Sequence, residues 1–413
     1  MSSQAPAEVI NGKKLPRFES LRAAAPIMLA MAATLQAIGF GSQNLSPVLI
    51  EGLRQGRGLT EGMAGLVQTV ELVTTAISAF LLASLASRMS PRRLALSGAV
   101  IAAIAHFASS LAEPLYLLLF LRVVAGVGAA MCVCAANVVL SAQREPDRIY
   151  AGSYAASALA GIVVLPFMVY IGALTDGWGV YAIDGAWVVV LLPLVALLPA
   201  RLPDRTATED HEAIVRSRGV MLLPLAAIGL FSTFSVGLWA FSGVVAEAAH
   251  VTAEFFGMTL SVGTALCFGG AWLASTIGTR YGRLPPLLGG IVATLIASTI
   301  FFSATTPIVF GLSFVVAQTI YAFIMPFMFG FCSSLDRTGK LAIAASSAIL
   351  ISASVAPALI GWLIQAMGLA GLIAVMTIGY LLSALAFYAS TRLIRDDAEP
   401  VSGHLESTDR SPA

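Results

Sequence analysis

Again and again the chain runs through stretches of about 20 or more mostly apolar residues, the length a helix needs to cross a bilayer. Nothing else constrains its fold so tightly. By that measure the 413-residue sequence holds twelve spans. Six lie at about 23–50, 60–86, 93–112, 114–141, 150–174 and 180–200. Six more lie at about 220–246, 252–278, 285–303, 306–332, 340–365 and 368–392. Composition agrees: 58% of residues are hydrophobic and only 11% are charged, where a soluble domain carries about 25%. The net charge of +1 gives no reason to expect nucleic acid as a partner; the partner of such a surface is a lipid bilayer. The polar N-terminus leads into an apolar run too long for the core of a cleaved signal peptide, so the first span is expected to stay as an uncleaved helix.

The basic residues then orient the set. Between the two groups of six lies the one long charged internal segment, residues 201–219, which reads as a linker. With the N-terminus inside, all of the 23 Lys and Arg residues except Arg54, Arg57 and the intramembrane Arg122 fall on the cytoplasmic side. This is the positive-inside pattern, and one missed span would scramble it. It predicts a multi-pass protein of the cell membrane, plasma or inner, with both termini cytoplasmic.

The second group of six echoes the first. "ASRMSPRR" follows the second span and "GTRYGRLPP" the eighth, which sets Arg88 against Arg280. Pro114 opens the fourth span and Pro307 the tenth, each suited to a first helical turn by its missing N–H. Asp147-Arg148 after the fourth span corresponds to Asp336-Arg337 after the tenth. Repeated halves are a common build of secondary transporters, with the substrate site at mid-membrane between them.

In these features the chain resembles the major facilitator superfamily over nearly its whole length. The family signature G-x-x-x-D-[RK]-x-G-R-[RK] is met in part by Arg88 and Arg92 and again by Arg280, Gly282 and Arg283; Ser87 and Thr279 stand where the family acid would be. A second signature, R-x-x-x-G-x-G in the fourth helix, is met by Arg122, Gly126 and Gly128, in the manner of drug/proton exporters. The exporter pattern ending G-P-x-x-G-G is not met, since Pro166 lacks its flanking glycines. The resemblance implies an all-α membrane protein of twelve transmembrane helices in two pseudo-symmetric six-helix bundles around a central cavity. The parts are then a tail 1–22, a bundle 23–200, a linker 201–219, a bundle 220–392 and a tail 393–413. Arg88, Arg92, Asp147, Arg148, Arg280, Arg283, Asp336 and Arg337 are candidates for a cytoplasmic gate, besides serving as orientation charges.

Two residues break the apolar pattern deep inside spans: Glu71 in the second and Arg122 in the fourth. A charge at mid-membrane costs roughly 2.5 to 3.5 kcal/mol on insertion scales. At 1.5 Å per residue Glu71 lies about 16 Å from the end of its helix and Arg122 about 12 Å from the same side. In the family's packing these helices are neighbours, so a Glu71–Arg122 pair is expected. Shifted by the repeat, Arg122 lands on Val315 and Glu71 on Gly263. The scaffold therefore does without charge in its other copy, which favours a role in transport over a purely structural ion pair. Burial raises the pKa of a carboxylate and a nearby guanidinium lowers it, so a carboxylate whose surroundings alternate can take up and release a proton.

Polar stripes mark candidate cavity walls. Gln68 falls on one helical face with Glu71, Thr75 and Ser78. Gln36 and Gln43 form a stripe in the first span, Ser235 and Trp239 in the seventh, Gln318 and Tyr321 in the tenth; Asn137 completes the set. His106 in the third span reads as a satisfied interior residue. Gly126 and Gly128 suit close helix approach, and Pro166, Pro326 and Pro357 can kink their helices. The cysteines Cys132, Cys134, Cys267 and Cys332 lie in apolar runs and read as small buried residues.

No phosphate loop G-x-x-x-x-G-K-[ST], H-E-x-x-H, paired C-x-x-C or G-x-S-x-G occurs, so neither direct ATP drive nor an enzyme is expected, and no cofactor or metal is implied. The expectation is a single-chain secondary carrier that moves a small organic solute by alternating access, with protons as the coupling ion. Uptake of an organic anion or an amphipathic aromatic compound is favoured, Arg122 suiting a carboxylate. Proton-driven efflux of drugs or metabolites is the alternative within the class. A channel or a non-transporting sensor is the alternative outside it.

Overall fold

The computed structural model describes residues 9–10, 13–14, 30–86, 89–141, 146–175, 179–198, 218–278, 280–335 and 340–398. Apart from a two-residue antiparallel ladder pairing Val9–Ile10 with Lys13–Lys14, every described element is a helix. In the first half these are α1 (Ala30–Gly39), α2 (Gly41–Asn44), α3 (Ser46–Arg57), α4 (Glu61–Ala86), α5 (Pro91–Leu111), α6 (Leu115–Ser141), α7 (Pro146–Leu174) and α8 (Val180–Ala196). In the second half they are α9 (Arg218–Ala240), α10 (Ser242–Ala248), α11 (Ala253–Ile277), α12 (Leu284–Phe302), α13 (Pro307–Leu335) and α14 (Lys340–Ala398). Eight helices among the described residues are long and apolar enough to cross a membrane, the last run being the 50-residue stretch Ala344–Leu393 of α14.

Two of the expected spans are not single rods. The first breaks at Phe40 and Leu45, giving α1, α2 and α3 in sequence, and continues to Arg57 rather than stopping near 50. The seventh breaks at Phe241, between α9 and α10. The two breaks are alike. Leu45 and Phe241 have φ of −95° and −102° with ψ of 2° and 19°. Each carbonyl then takes an amide three residues on, Val48 in one case and Val244 in the other. Pro47, at the second position of α3, disfavours carrying the helix through the first break; no proline stands in α10 or beside Phe241. α14 is the opposite case. Gly368 at φ 68° and ψ −177° divides it into two helices, residues 340–367 and 369–398. Glycine adopts that positive φ without a Cβ clash.

Within the first half α6 packs on both α4 and α5, and α8 packs on α5; within the second α13 packs on α11 and α12, and α14 on α9 and α12. The halves meet along two seams, α4 against α14 and α7 against α11. The repeat carries α4 onto α11 and α7 onto the first part of α14, so each seam is the image of the other. The outward faces carry large exposed apolar side chains such as Phe80, Leu111, Phe120 and Leu312, a surface suited to lipid. All four cysteines are free thiols, three of them buried.

Candidate functional site

The expected pair forms, and it is the centre of something larger. Arg122 on α6 donates through Nη1 to Glu71 Oε2 on α4 at 2.9 Å. Arg122 is 0% exposed and Glu71 is 1%. A lone charge so buried is strongly disfavoured, and pairing with further hydrogen bonds offsets the loss of water. Those further bonds are present. Arg122 Nη2 donates to the Ser109 hydroxyl and, at 3.4 Å, to the Ala105 carbonyl, both on α5. Its guanidinium lies 4.1 Å from the centre of the Tyr181 ring on α8, a cation–π contact. Glu71 Oε1 accepts from the Ser42 hydroxyl at 2.5 Å.

The local sequence explains how the helices come close enough. A Cβ on Gly126 would sit 2.6 Å from the carbonyl oxygen of Glu71, and one on Gly128 would sit 2.7 Å from Gly98 O and Ala102 N. The two glycines that follow Arg122 in the R-x-x-x-G-x-G signature therefore let α6 press on α4 at Glu71 and on α5 at Gly98. The broken first span adds the third wall. Ser42 lies on α2, between the breaks, and its carbonyl accepts from the Ser46 hydroxyl at 2.9 Å and from Gln68 Nε2 at 2.8 Å.

Two more ionisable groups join the cluster. His106 Nδ1 on α5 lies 3.3 Å from Arg122 Nη1 and 3.3 Å from Asp184 Oδ2 on α8, and His106 Nε2 lies 4.0 Å from Glu71 Oε1. His106 is 4% exposed and Asp184 is 2%. The expectation of only two deep charges is thus corrected: Asp184 is a third and His106 is their shared neighbour. Asp184 sits near the start of α8, where an acid reads as belonging to the loop. Its signal is there nonetheless, as the one charge in "VYAIDGAWVVVLL". Gln68 Oε1, Arg122 Nε, Tyr181 Oη and Asp184 Oδ2 are buried without a hydrogen-bond partner among the described residues.

The other candidate wall residues are spread along the helices. Gln36 and Gln68 are fully buried, Gln43 is half-buried and Asn137 is exposed. Ser235 is buried, 3.2 Å from the Tyr380 hydroxyl. Trp239 stacks on Phe314 with centroids 5.8 Å apart, and Tyr321 stacks on Phe231 at 6.1 Å. Gln318 is half-buried and its carbonyl lies 3.5 Å from Cys267 Sγ. Of the candidate gate residues, Arg92 and Arg280 are exposed. Arg283 lies across Gly330 of α13, its Nε 3.3 Å from where a Cβ there would be. Arg88, Asp336, Arg337 and the side chains of Asp147 and Arg148 lie outside the described residues, as does nearly all of the linker.

Contacts between halves are plain at the end of the bundle that carries Arg54. Arg54 Nη1 bridges Glu51 at 2.9 Å in its own half and Glu247 at 3.1 Å in the other, while Nη2 reaches Glu61 at 3.1 Å. Arg54 and Glu247 are 193 residues apart, the offset of the repeat, so equivalent positions of the two halves face each other. Further in, the Ala358 amide donates to Thr69 Oγ1 at 2.9 Å, and Ser261 donates to the Ile162 carbonyl at 2.8 Å. A cleft of about 260 Å³ opens beside the Arg54 bridges, lined by Val48, Glu51, Gln55, Val169, Glu247 and Phe256 among others.

The Major Facilitator Superfamily profile matches residues 29–346. The chain belongs to that superfamily. Among solved structures, a bacterial homolog of the human lysosomal transporter Spinster, inward-facing and unoccupied, superposes with a TM-score of 0.67 at 16% identity, covering 92% of this chain and 99% of that one. A variant of the nucleoside transporter NupG gives 0.71 at 14%, covering 89% and 99%. The xylose transporter XylE from E. coli, in an inward-open conformation, gives 0.66 at 15%, covering 90% and 95%. At such identities the likeness is one of fold. A search of curated proteins finds no match. This major facilitator is a multi-pass membrane protein and a secondary transporter, not an enzyme.

Proposed function

We propose that this transporter carries a small organic solute by alternating access, coupled to protons, and that it works in the direction of uptake. The observation that supports this most is the buried Glu71–Arg122 pair, 2.9 Å apart in one half and without a charged counterpart at the equivalent residues of the other. Four helices of the first bundle converge on it, together with the broken first helix. Rocking of the bundles would change what surrounds it. The positive-inside pattern supports a reading in which the Arg54 end faces outside and the termini face the cytoplasm, in the cell membrane. On that reading the Arg54–Glu247 bridge and the seams beside it hold the outer end shut in this state, and an imported solute would leave toward the cytoplasm. Arg122 and the aromatic groups around Trp239 and Tyr321 suit an organic anion or an amphipathic aromatic compound. One structural relative is described as a D-xylose–proton symporter, so the fold is compatible with proton-linked uptake. The R-x-x-x-G-x-G signature favours a second reading, proton-driven efflux.

The test is flux in proteoliposomes with an imposed proton gradient, using a panel of radiolabelled organic acids and aromatic compounds. Saturable accumulation that collapses with a protonophore is expected. Extrusion driven by the gradient would select efflux. Flux that saturates but ignores the gradient would reject proton coupling, and non-saturating flux would indicate a channel.

A further inference from the structure

The Glu71–Arg122 pair leaves a charge unaccounted for. Four ionisable side chains meet in the interior of the first half, Glu71 from α4, His106 from α5, Arg122 from α6 and Asp184 from α8, and none is more than 4% exposed. Two are carboxylates, and Arg122 is the one permanent cation among them. With both carboxylates ionised the cluster holds one negative charge too many, in surroundings where an uncompensated charge is heavily penalised. One proton cancels it. The other groups facing the cluster do not. Tyr181 offers Arg122 its ring face. Arg57 on α3 approaches from the Arg54 end, where it donates to the Ala112 and Ser109 carbonyls, but it is half-exposed and its charge is shared with solvent.

Geometry indicates where that proton resides. Glu71 is already engaged by Arg122 and by the Ser42 hydroxyl. Asp184 Oδ2 faces His106 Nδ1 at 3.3 Å, and the same nitrogen lies 3.3 Å from Arg122 Nη1. A ring nitrogen carries either a hydrogen or a lone pair. With a hydrogen it donates to Asp184 and presents a donor to Arg122, which cannot accept. Bare, it accepts from Arg122 and turns a lone pair toward Asp184, a contact that suits only a protonated carboxyl. Only the Arg122 contact has hydrogen-bond geometry, and Asp184 Oδ2 is left without a partner, so a bare nitrogen beside a protonated Asp184 is the arrangement that suits both neighbours.

Building on the proton-coupled reading above, we propose that His106 and Asp184 together hold the coupling proton, while Glu71 and Arg122 stay ionised beside them as the fixed charges that position it. Loading adds one proton from water on the open side to the His106–Asp184 couple. It forms one N–H or O–H bond and brings the cluster to neutrality. Unloading breaks that bond and returns the proton to water on the other side.

The test is magnetic resonance of isotope-labelled histidine in the full-length protein in lipid nanodiscs, across a range of pH. The sequence has only four histidines, and His106→Gln identifies the signals of interest. The expected result is one pH-dependent change at both ring nitrogens of His106, lost in Asp184→Asn, restored in Asp184→Glu and moved to lower pH in Glu71→Gln, where Arg122 and an ionised Asp184 already balance. A His106 ring that ignores pH in the wild type overturns the assignment, whatever the variants do. So does a change that survives Asp184→Asn and vanishes in Glu71→Gln, which would return the proton to Glu71. The readout needs neither substrate nor gradient, so a silent His106 leaves proton-coupled flux standing. Flux that ignores the gradient would instead overturn the coupling, and this assignment with it.

Discussion

The two halves of this transporter share a framework and fill it with opposite chemistry. In the first half the space between α4, α5, α6 and α8 holds Glu71, His106, Arg122 and Asp184. In the second, Gly263 stands at the place of Glu71 and Val315 at that of Arg122. The side chain that occupies the gap is aromatic: a Cβ on Gly263 would lie 2.8 Å from Phe314. Phe314 stands 5.6 Å from Phe301, 6.1 Å from Phe310 and 5.8 Å from Trp239, centroid to centroid. Yet both halves break their first helix in the same way, at Leu45 and at Phe241. The broken helix belongs to the scaffold, and the charges do not. A bundle that packs well with phenylalanine has no structural need of four buried ionisable groups, so their presence in one copy points to work that the other copy does not do.

Substitutions in each half probe this contrast. The largest effect is expected from Arg122→Leu, which strands two carboxylates in the interior and should cost about 3–5 kcal/mol, read as a steep loss of thermal stability in detergent. Adding Glu71→Leu should recover much of it, because removing both partners of a buried pair is far less harmful than removing one. Next comes Phe314→Ala, the corresponding wound in the second half. It should cost about 3–4 kcal/mol through the cavity it leaves, and it should reduce stability without altering any dependence of flux on pH. Gly126→Ala should cost about 1–3 kcal/mol by forcing α6 off α4 at Glu71, with proton-linked flux falling more than binding. The smallest effect belongs to Glu247→Gln. Its side chain is 59% exposed against 15% for Arg54, and a bridge so open contributes at most about 1 kcal/mol. Stability should hardly move, while spin-label distances across the Arg54 end should widen.

How much of this could be read from the chain depended on whether the signal was local. Apolar runs, the alternation of charge and the repeat are local, and they gave the family and most helix boundaries, with the division of the last stretch falling within a few residues of Gly368. Glu71 and Arg122 could be paired in advance because depth along a helix is arithmetic and their helices adjoin. The rest is tertiary. Nothing near Ser42 says that a break turns its hydroxyl onto Glu71. Nothing near Arg54 says that its partner is its own image, Glu247, in the other half. His106 looked like a bland interior residue because one residue does not reveal that its ring meets two charges from two other helices. Asp184 is different, since the rule that singled out Arg122 applies to it equally. Its position close to a helix start concealed how deeply the fold buries it.

The central claim is that the ionic cluster of the first half drives transport. Its most direct test is Glu71→Gln, a near-isosteric change, in proteoliposomes where net accumulation and solute exchange are measured side by side. Exchange that persists at or near the wild-type rate while accumulation against a gradient is lost is the predicted result. Full gradient-driven accumulation by the Glu71→Gln protein would contradict it.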